Sequence, residues 1–249
     1  MKKIYGRLVC PLLLSCMVMV GLPTQSHAVF IKNLEFNIDG VLPSNDPDIG
    51  LSNNTGQSES TLYSVSGGLL QQRTLAFNGN ASYGFPNGLP TGGGFSAADP
   101  FSMEARVQIQ TIDGLGGAFF QALDGAHRYS VFYAPNAVNV LSTSGFQTFS
   151  IDLSEFHTYR IQSEGGTNAF EFYVDDVLTY SGFAAASGGS NGFNFGDGIT
   201  DPGRGADANW DFVRYSQALP TAEVSAPGAS FLFLAVAVLG RRLRRRNIA

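Results

Sequence analysis

Along the stretch Phe101-Ser102-Met103-Glu104-Ala105-Arg106-Val107-Gln108-Ile109-Gln110, apolar and polar residues alternate without a break. That is the period of a β-strand with one face turned to a core, and it places Phe101, Met103, Ala105, Val107 and Ile109 on that face. Leu34-Glu35-Phe36-Asn37-Ile38-Asp39 alternates in the same way. Shorter runs follow at Leu75–Phe77, Phe119–Leu123, Tyr129–Tyr133, Val138–Leu141, Thr148–Ile151, His157–Gln162, Phe170–Val174, Val177–Tyr180 and Asp211–Ser216. Turn-forming residues separate nearly all of them. No part of the middle of the chain carries ten residues at helical spacing. The pattern predicts an all-β domain over residues 29–219, a two-sheet antiparallel jelly-roll sandwich, and argues against a parallel α/β design.

The two ends depart from this pattern. Lys2, Lys3 and Arg7 precede an apolar run from Leu8 to Leu22, and Ser26-His27-Ala28 has the small-x-small form of a cleavage site. This predicts a secretory signal peptide over residues 1–28, cut after Ala28. Leu13-Leu14-Ser15-Cys16 offers a lipoprotein-type box, but Met17 to Val20 continue the apolar region where such a chain turns polar. Both cysteines, Cys10 and Cys16, fall in this segment, so the exported part has no thiol for a disulfide or a metal.

At the other end, Ser225 to Gly240 form an apolar stretch followed by Arg241, Arg242, Arg244, Arg245 and Arg246. As a helix the stretch spans about 24 Å against a hydrocarbon core of about 30 Å, enough to insert. The positive-inside rule keeps the arginines cytoplasmic and leaves the rest of the chain outside. A Val224-Ser225-Ala226-Pro227 motif, an apolar span and an arginine cluster together resemble the PEP-CTERM sorting signal of Gram-negative bacteria. Ser225-Ala226-Pro227 stands where that family more often has Pro-Glu-Pro. The resemblance covers roughly the last 25 residues. It implies an exosortase-type membrane enzyme as partner, and delivery to the outer surface or an extracellular polysaccharide matrix.

Charge sharpens the picture once the ends are set apart. The whole chain carries −5, but only seven of the 15 basic residues lie between the two end segments, with all 20 acidic ones, a net of −13. Nucleic acid is excluded as a partner, because phosphate binding needs a basic stripe.

Phe170-Glu171-Phe172-Tyr173-Val174-Asp175-Asp176-Val177-Leu178-Thr179-Tyr180 reads as a hairpin with Asp175-Asp176 at its tip. Two-residue turns favour Asn-Gly or Asp-Gly because both central residues take positive φ, so Asp176 stands where glycine is expected. This hairpin, with Phe156-His157-Thr158-Tyr159-Arg160-Ile161, Phe195-Gly196-Asp197-Gly198 and Trp210-Asp211-Phe212-Val213-Arg214-Tyr215, resembles the second half of a concanavalin A-like lectin/glucanase domain of the laminin-G-like kind. Phe156 replaces that family's usual tryptophan and Asp176 its glycine. The resemblance implies a jelly roll whose concave face, in many relatives, binds glycans or proteins, and a structural role for His157.

The family also holds retaining glycosidases, whose two carboxylates stand about 5 Å apart. Its laminarinase-type members carry Glu-x-Asp-x-x-Glu on one strand, and no such triplet occurs here. Glu171 and Asp175 share a strand face by spacing, with Asp175 carried out to the hairpin tip and into solvent. No nucleophile elbow, His-Glu-x-x-His or phosphate-cradling loop is present, and Ser66-Gly67-Gly68 and Thr91-Gly92-Gly93-Gly94 read as turns. Asp197, Asp201, Asp207 and Asp211 form an acidic, glycine-rich cluster able to supply oxygen ligands to Ca²⁺, although ordinary turn chemistry explains Asp-Gly and Asp-Pro equally well. Trp210, Tyr133 and Tyr173 are the candidate ligand platform, with Trp210 also suited to filling the sandwich. The expectation is a non-catalytic, surface- or matrix-associated protein that binds glycan or adheres. The alternatives are a polysaccharide-active glycosidase or lyase on the same fold, and a matrix protein without a ligand.

Overall fold

The computed structural model describes residues 30–85, 99–189, 191–199 and 204–216. The signal segment with Ala28, the Val224-Ser225-Ala226-Pro227 motif, the apolar tail, Thr91-Gly92-Gly93-Gly94 and Asp201 lie outside the described residues. Among the described residues no helix is long and apolar enough to cross a membrane. The strands of the first half are β1 (Phe30–Glu35), β2 (Gly50–Asn53), β3 (Tyr63–Ser66), β4 (Leu69–Arg73), β5 (Ala81–Gly84), β6 (Phe101–Ile112), β7 (Phe119–Asp124) and β8 (His127–Ala134). Those of the second are β9 (Ala137–Ser142), β10 (Gly145–Ser150), β11 (His157–Ser163), β12 (Ala169–Val174), β13 (Val177–Phe183), β14 (Ala185–Ala186), β15 (Asn191–Asp197) and β16 (Ala206–Ser216). Two one-turn α-helices, α1 (Phe36–Asp39) and α2 (Glu59–Leu62), and a 3-10 turn at Pro43–Asn45 complete the set.

Two eight-stranded antiparallel sheets result. The first runs β13-β12-β11-β6-β16-β4-β3 with β1 also on β16, and the second runs β10-β9-β8-β7-β15-β5-β2 with β14 on β8. The five alternating residues of β6 are buried as expected, each 4% exposed or less. They meet Tyr159, Ile161, Trp210, Val213 and Tyr215 of neighbouring strands on the inner face of the first sheet. Val131, Tyr133, Val138, Val140, Phe120 and Phe195 close the core from the second.

Two predicted strands are corrected. The alternation at Leu34 stops at Glu35, because Phe36–Asp39 turns helical and ends on Gly40 at φ 62°. Leu75–Phe77 is a turn closed by the Phe77 amide on the Thr74 carbonyl. The strand lies just before it, in β4, where Leu70 and Gln72 are wholly buried. A buried glutamine hides that strand from an apolar count.

The Asp175-Asp176 turn forms as the sequence suggests, with φ of 48° and 63°. Aspartate reaches this left-handed region more readily than most residues, and here both side chains are used. Asp175 is half-exposed, but it accepts the Thr158 amide at 2.8 Å and faces His157 Nδ1 at 2.6 Å, so it is tied to β11 and not simply solvated. The other ring nitrogen of His157 meets the Asp152 carbonyl at 3.0 Å. Asp176 takes Arg160 at 2.6 Å. In β16 a register shift leaves Asp211 as an extra residue between Trp210, opposite Val107, and Phe212, opposite Arg106. Such a bulge re-aims a side chain, and Asp211 pairs with Arg106 at 2.5 Å.

Candidate functional site

The two outer faces of the sandwich differ in chemistry. On the first sheet Arg106 pairs with Asp211, Arg160 with Asp176, and Arg214 with Glu35 at 2.7 Å and Glu104 at 3.7 Å. Burial raises the Glu104 carboxyl above the usual range, and Arg214 and Arg160 oppose the shift. Charge on this face is largely cancelled within it.

The second sheet turns a different set outward. Register puts Phe119 opposite Phe132, Gln121 opposite Ser130 and Leu123 opposite Arg128, while the alternate residues Phe120, Ala122, Tyr129 and Val131 enter the core. The same face continues through Asn139 and Thr148, through Leu141 and Phe146, and on the other side through Asn194 beside Gln121. Phe119 and Phe132 stack with centroids 5.9 Å apart, and Phe146 meets Phe132 edge-on at 5.6 Å. Phe146 is 47% exposed. The Arg128 guanidinium lies 5.1 Å from the Phe132 centroid. Its Nε donates to Gln121 Oε1 and Ser130 Oγ, both at 3.0 Å, and Thr148 Oγ1 donates to Asn139 Oδ1 at 2.6 Å.

Glycine shapes one end of this strip. A Cβ at Gly84 would lie 2.0 Å from Asn194 Oδ1, and one at Gly198 would lie 2.7 Å from Phe119 Cε1. Bare backbone at these positions lets the amide and the ring lie close to the sheet. Beyond Asn194 a hollow of about 440 Å³ opens over Gly50, Leu51, Ser52 and Gly84. The strip thus combines apolar rings with amide, hydroxyl and guanidinium groups in the plane, the mixture that packs on the C–H face of a sugar and bonds its hydroxyls.

Among the described residues no two carboxylates share this strip. A second hollow, of about 480 Å³, is lined by Gln162, Glu164, Thr167, Phe170, Glu171 and Phe183, among others, and holds two. Glu171 accepts Gln162 Nε2 at 3.0 Å and the Tyr173 hydroxyl at 2.5 Å. The Thr143 amide donates to the Phe183 carbonyl at 2.9 Å, which ties the rim of this hollow to the turn preceding Phe146.

The residues singled out in the sequence are distributed differently from the expectation. Trp210 and Tyr133 are wholly buried, 6.3 Å apart between the sheets, so neither offers a face to a ligand. Tyr173 lies on the outer face of the first sheet under Arg160, whose guanidinium is 4.5 Å from its centroid. Asp197 is buried at the end of β15, Asp207 stands on β16 opposite Arg73, and Asp211 is committed to Arg106. Among the described residues no group of three or more histidine, cysteine or acidic side chains is placed to hold a metal ion. Asp197, Asp207 and Asp211 are thus not gathered into the calcium site that their ligand chemistry suggested, and Asp201 lies outside the described residues. The strip itself escaped sequence reading, because Phe119, Phe132 and Phe146 look like any strand phenylalanines until pairing decides which face each one takes.

No protein family and no curated protein matches the chain by sequence. Solved structures do match by fold. A conserved carbohydrate esterase from the Shiga toxin-encoding bacteriophage phi24B aligns over 77% of this chain and 100% of its own, at 10% identity and a TM-score of 0.56. An endo-1,3-beta-glucanase from Streptomyces sioyaensis aligns over 78% and 98%, at 14% identity and 0.54. A laminarinase from Flavobacterium sp. UMI-01 aligns over 76% and 100%, at 15% identity and 0.53. These likenesses correct the expectation of a non-catalytic chain, which rested on missing motifs. The same fold, at this distance in sequence, carries enzymes, so a motif absent here is no ground for setting the chain apart from them. The described residues form the concanavalin A-like, two-sheet jelly roll shared with these proteins.

Proposed function

We propose that this chain is an enzyme acting on polysaccharide, of the glycoside-hydrolase kind, which seats its glycan along the Phe132 and Phe146 strip of the second sheet, with the buried Phe119 ring backing Phe132. The observation that carries the reading is that strip, with rings, amides and a guanidinium on one outer face, beside a first sheet whose charges are paired off. The fold it shares with a glucanase and a laminarinase supports the reaction class. Glycoside hydrolysis needs two carboxylates, one to protonate the leaving oxygen and one to act as nucleophile or base. Glu164 and Glu171, which share the hollow on the first-sheet side of the edge joined to the Phe146 turn by the Thr143–Phe183 bond, are the pair we assign to that work, reached by a glycan that crosses this edge from the strip. The signal-like start and the arginine-rich tail support export, handling by an exosortase-type enzyme at the membrane, and action at the cell surface or in an extracellular polysaccharide matrix.

Release of reducing ends from a β-1,3-glucan by the full chain tests the reading. Glu171→Gln and Glu164→Gln are each expected to lower the rate by about 10²-fold or more, the usual scale for a group that transfers a proton in the transition state. Intact glucan after prolonged incubation with folded protein contradicts the reaction. Cleavage that survives both substitutions contradicts the assigned pair.

A further inference from the structure

We propose that Arg128 is the seat for the anionic group, carboxylate or sulfate, of an acidic glycan lying on the strip. The inference rests on the reading of that strip as the glycan face and names the class of sugar it takes. Its ground is the isolation of this cation. Lys32 is paired with Asp46 and Asp48, and Arg106, Arg160 and Arg214 each have a carboxylate partner. Arg73 bonds the carbonyls of Gln72 and Ala208. Arg128 is half-buried in a region of net −13, yet no described carboxylate pairs with it. Burial pulls its pKa below the ordinary guanidinium value, with no acidic neighbour opposing the shift.

Its geometry is that of a group held in readiness. Nε is fixed by Gln121 and Ser130, Ser130 Oγ also donates to Gln121 Oε1 at 3.2 Å, and the plane packs near the Phe132 ring. That leaves both Nη groups, which make no hydrogen bond among the described residues, as a fork matching the two oxygens of a carboxylate or sulfate. Burying a guanidinium without an anionic partner costs stability, and a ligand anion supplies that partner. A sugar ring over Phe132 and Phe146 lies next to the Arg128 guanidinium, which packs 5.1 Å from the Phe132 centroid, so ring stacking and charge recognition are adjacent.

Binding of the full chain to polygalacturonate, dextran sulfate and uncharged laminarin, measured by calorimetry at low and physiological salt, tests this. We expect one polyanion to bind about tenfold or more tighter than laminarin, and Arg128→Gln to lower polyanion affinity about tenfold more than it lowers laminarin affinity. Preference for polygalacturonate assigns a carboxylate; preference for dextran sulfate assigns a sulfate. General attraction is no alternative explanation, because the domain's charge repels both polymers. If Arg128→Gln does not fold, Arg128→Lys is read instead, and a several-fold loss is expected because ammonium keeps the charge without the fork. Equal affinity for charged and uncharged glycans, or polyanion binding unchanged by the substitution, overturns the inference and leaves the strip a neutral-glycan face. Absence of binding to all three polymers overturns the strip itself.

Discussion

Replacing Asp197 by asparagine is expected to stabilise the domain most at pH 8 and by only about a third as much at pH 5. Asp197 is 1% exposed at the end of β15, its Oδ1 accepts the Ile199 amide at 3.0 Å, and its Oδ2 has no hydrogen-bond partner within 3.5 Å among the described residues. Burial pushes its pKa up to about 7, against the pull of the Ile199 amide. An unfolded aspartate titrates near 3.9, so between about pH 4 and pH 7 the folded chain binds the extra proton. Stability from this group is therefore fully present below pH 4, falls as pH rises, and is lost above pH 7. A shift of about three units corresponds to about 4 kcal/mol, an upper bound for a group whose surroundings relax on ionisation. In a domain of this size that is about 8 to 16 °C of melting temperature at pH 8. Carboxyls whose pKa values are lowered, such as Glu35 and Asp46, act in the opposite direction in acid and are common to both proteins, so the difference between wild type and Asp197→Asn isolates the one group. Thermal melts of the two at pH 5 and pH 8 check it. An equal shift at both values would mean that the side chain does not titrate in this range.

Truncation of Trp210 to alanine is expected to remove most of the domain's stability. The ring is wholly buried and meets Phe195 at 5.6 Å and Tyr133 at 6.3 Å, both edge-on. Its Nε1 donates to Gln72 Oε1 at 3.2 Å, and Gln72 in turn donates to the Gly117 carbonyl at 2.6 Å and to Thr74 Oγ1 at 2.9 Å. Losing the ring costs about 3–5 kcal/mol in transfer and cavity terms. Leaving Gln72 Oε1 buried without its donor adds about 1–3 kcal/mol. Against a typical stability of about 5–15 kcal/mol, this lowers the melting temperature by about 10 °C or more. Trp210→Phe keeps much of the packing and loses the hydrogen bond, so it falls between the two. Urea unfolding separates them, and a cost below about 1 kcal/mol for alanine would contradict the packing described. Trp210 is the chain's single tryptophan, so its fluorescence in the wild-type protein reports this site alone.

What could be read in advance follows from how each signal is written in the chain. The face of β6 was legible because all five of its inward residues are apolar and every neighbour between them is polar. The Asp175-Asp176 turn was legible because two residues between alternating strands leave few backbone solutions. β4 was not, since Gln72 sits in the core on the strength of three hydrogen bonds that only the fold provides. The strip was hidden by Phe119-Phe120, two adjacent apolar residues that give no hint of which one enters the core. The isolation of Arg128 was equally out of reach, because it becomes apparent only when the partners of Lys32, Arg106, Arg160 and Arg214 are known. The acidic turns at the end of β15 and along β16 suggested calcium by composition, yet the bulge at Asp211 and the burial of Asp197 give those carboxylates separate tasks.

The central claim is that the outer face of the second sheet holds the glycan, and Phe146→Ala tests it most directly. This ring is 47% exposed at the start of β10, so its removal costs the fold little. Titration of the full chain with laminarin or polygalacturonate, whichever binds, is expected to show affinity about five- to tenfold weaker in the variant, the worth of one aromatic contact. Unchanged affinity in a variant that melts like the wild type would place the glycan elsewhere on the molecule.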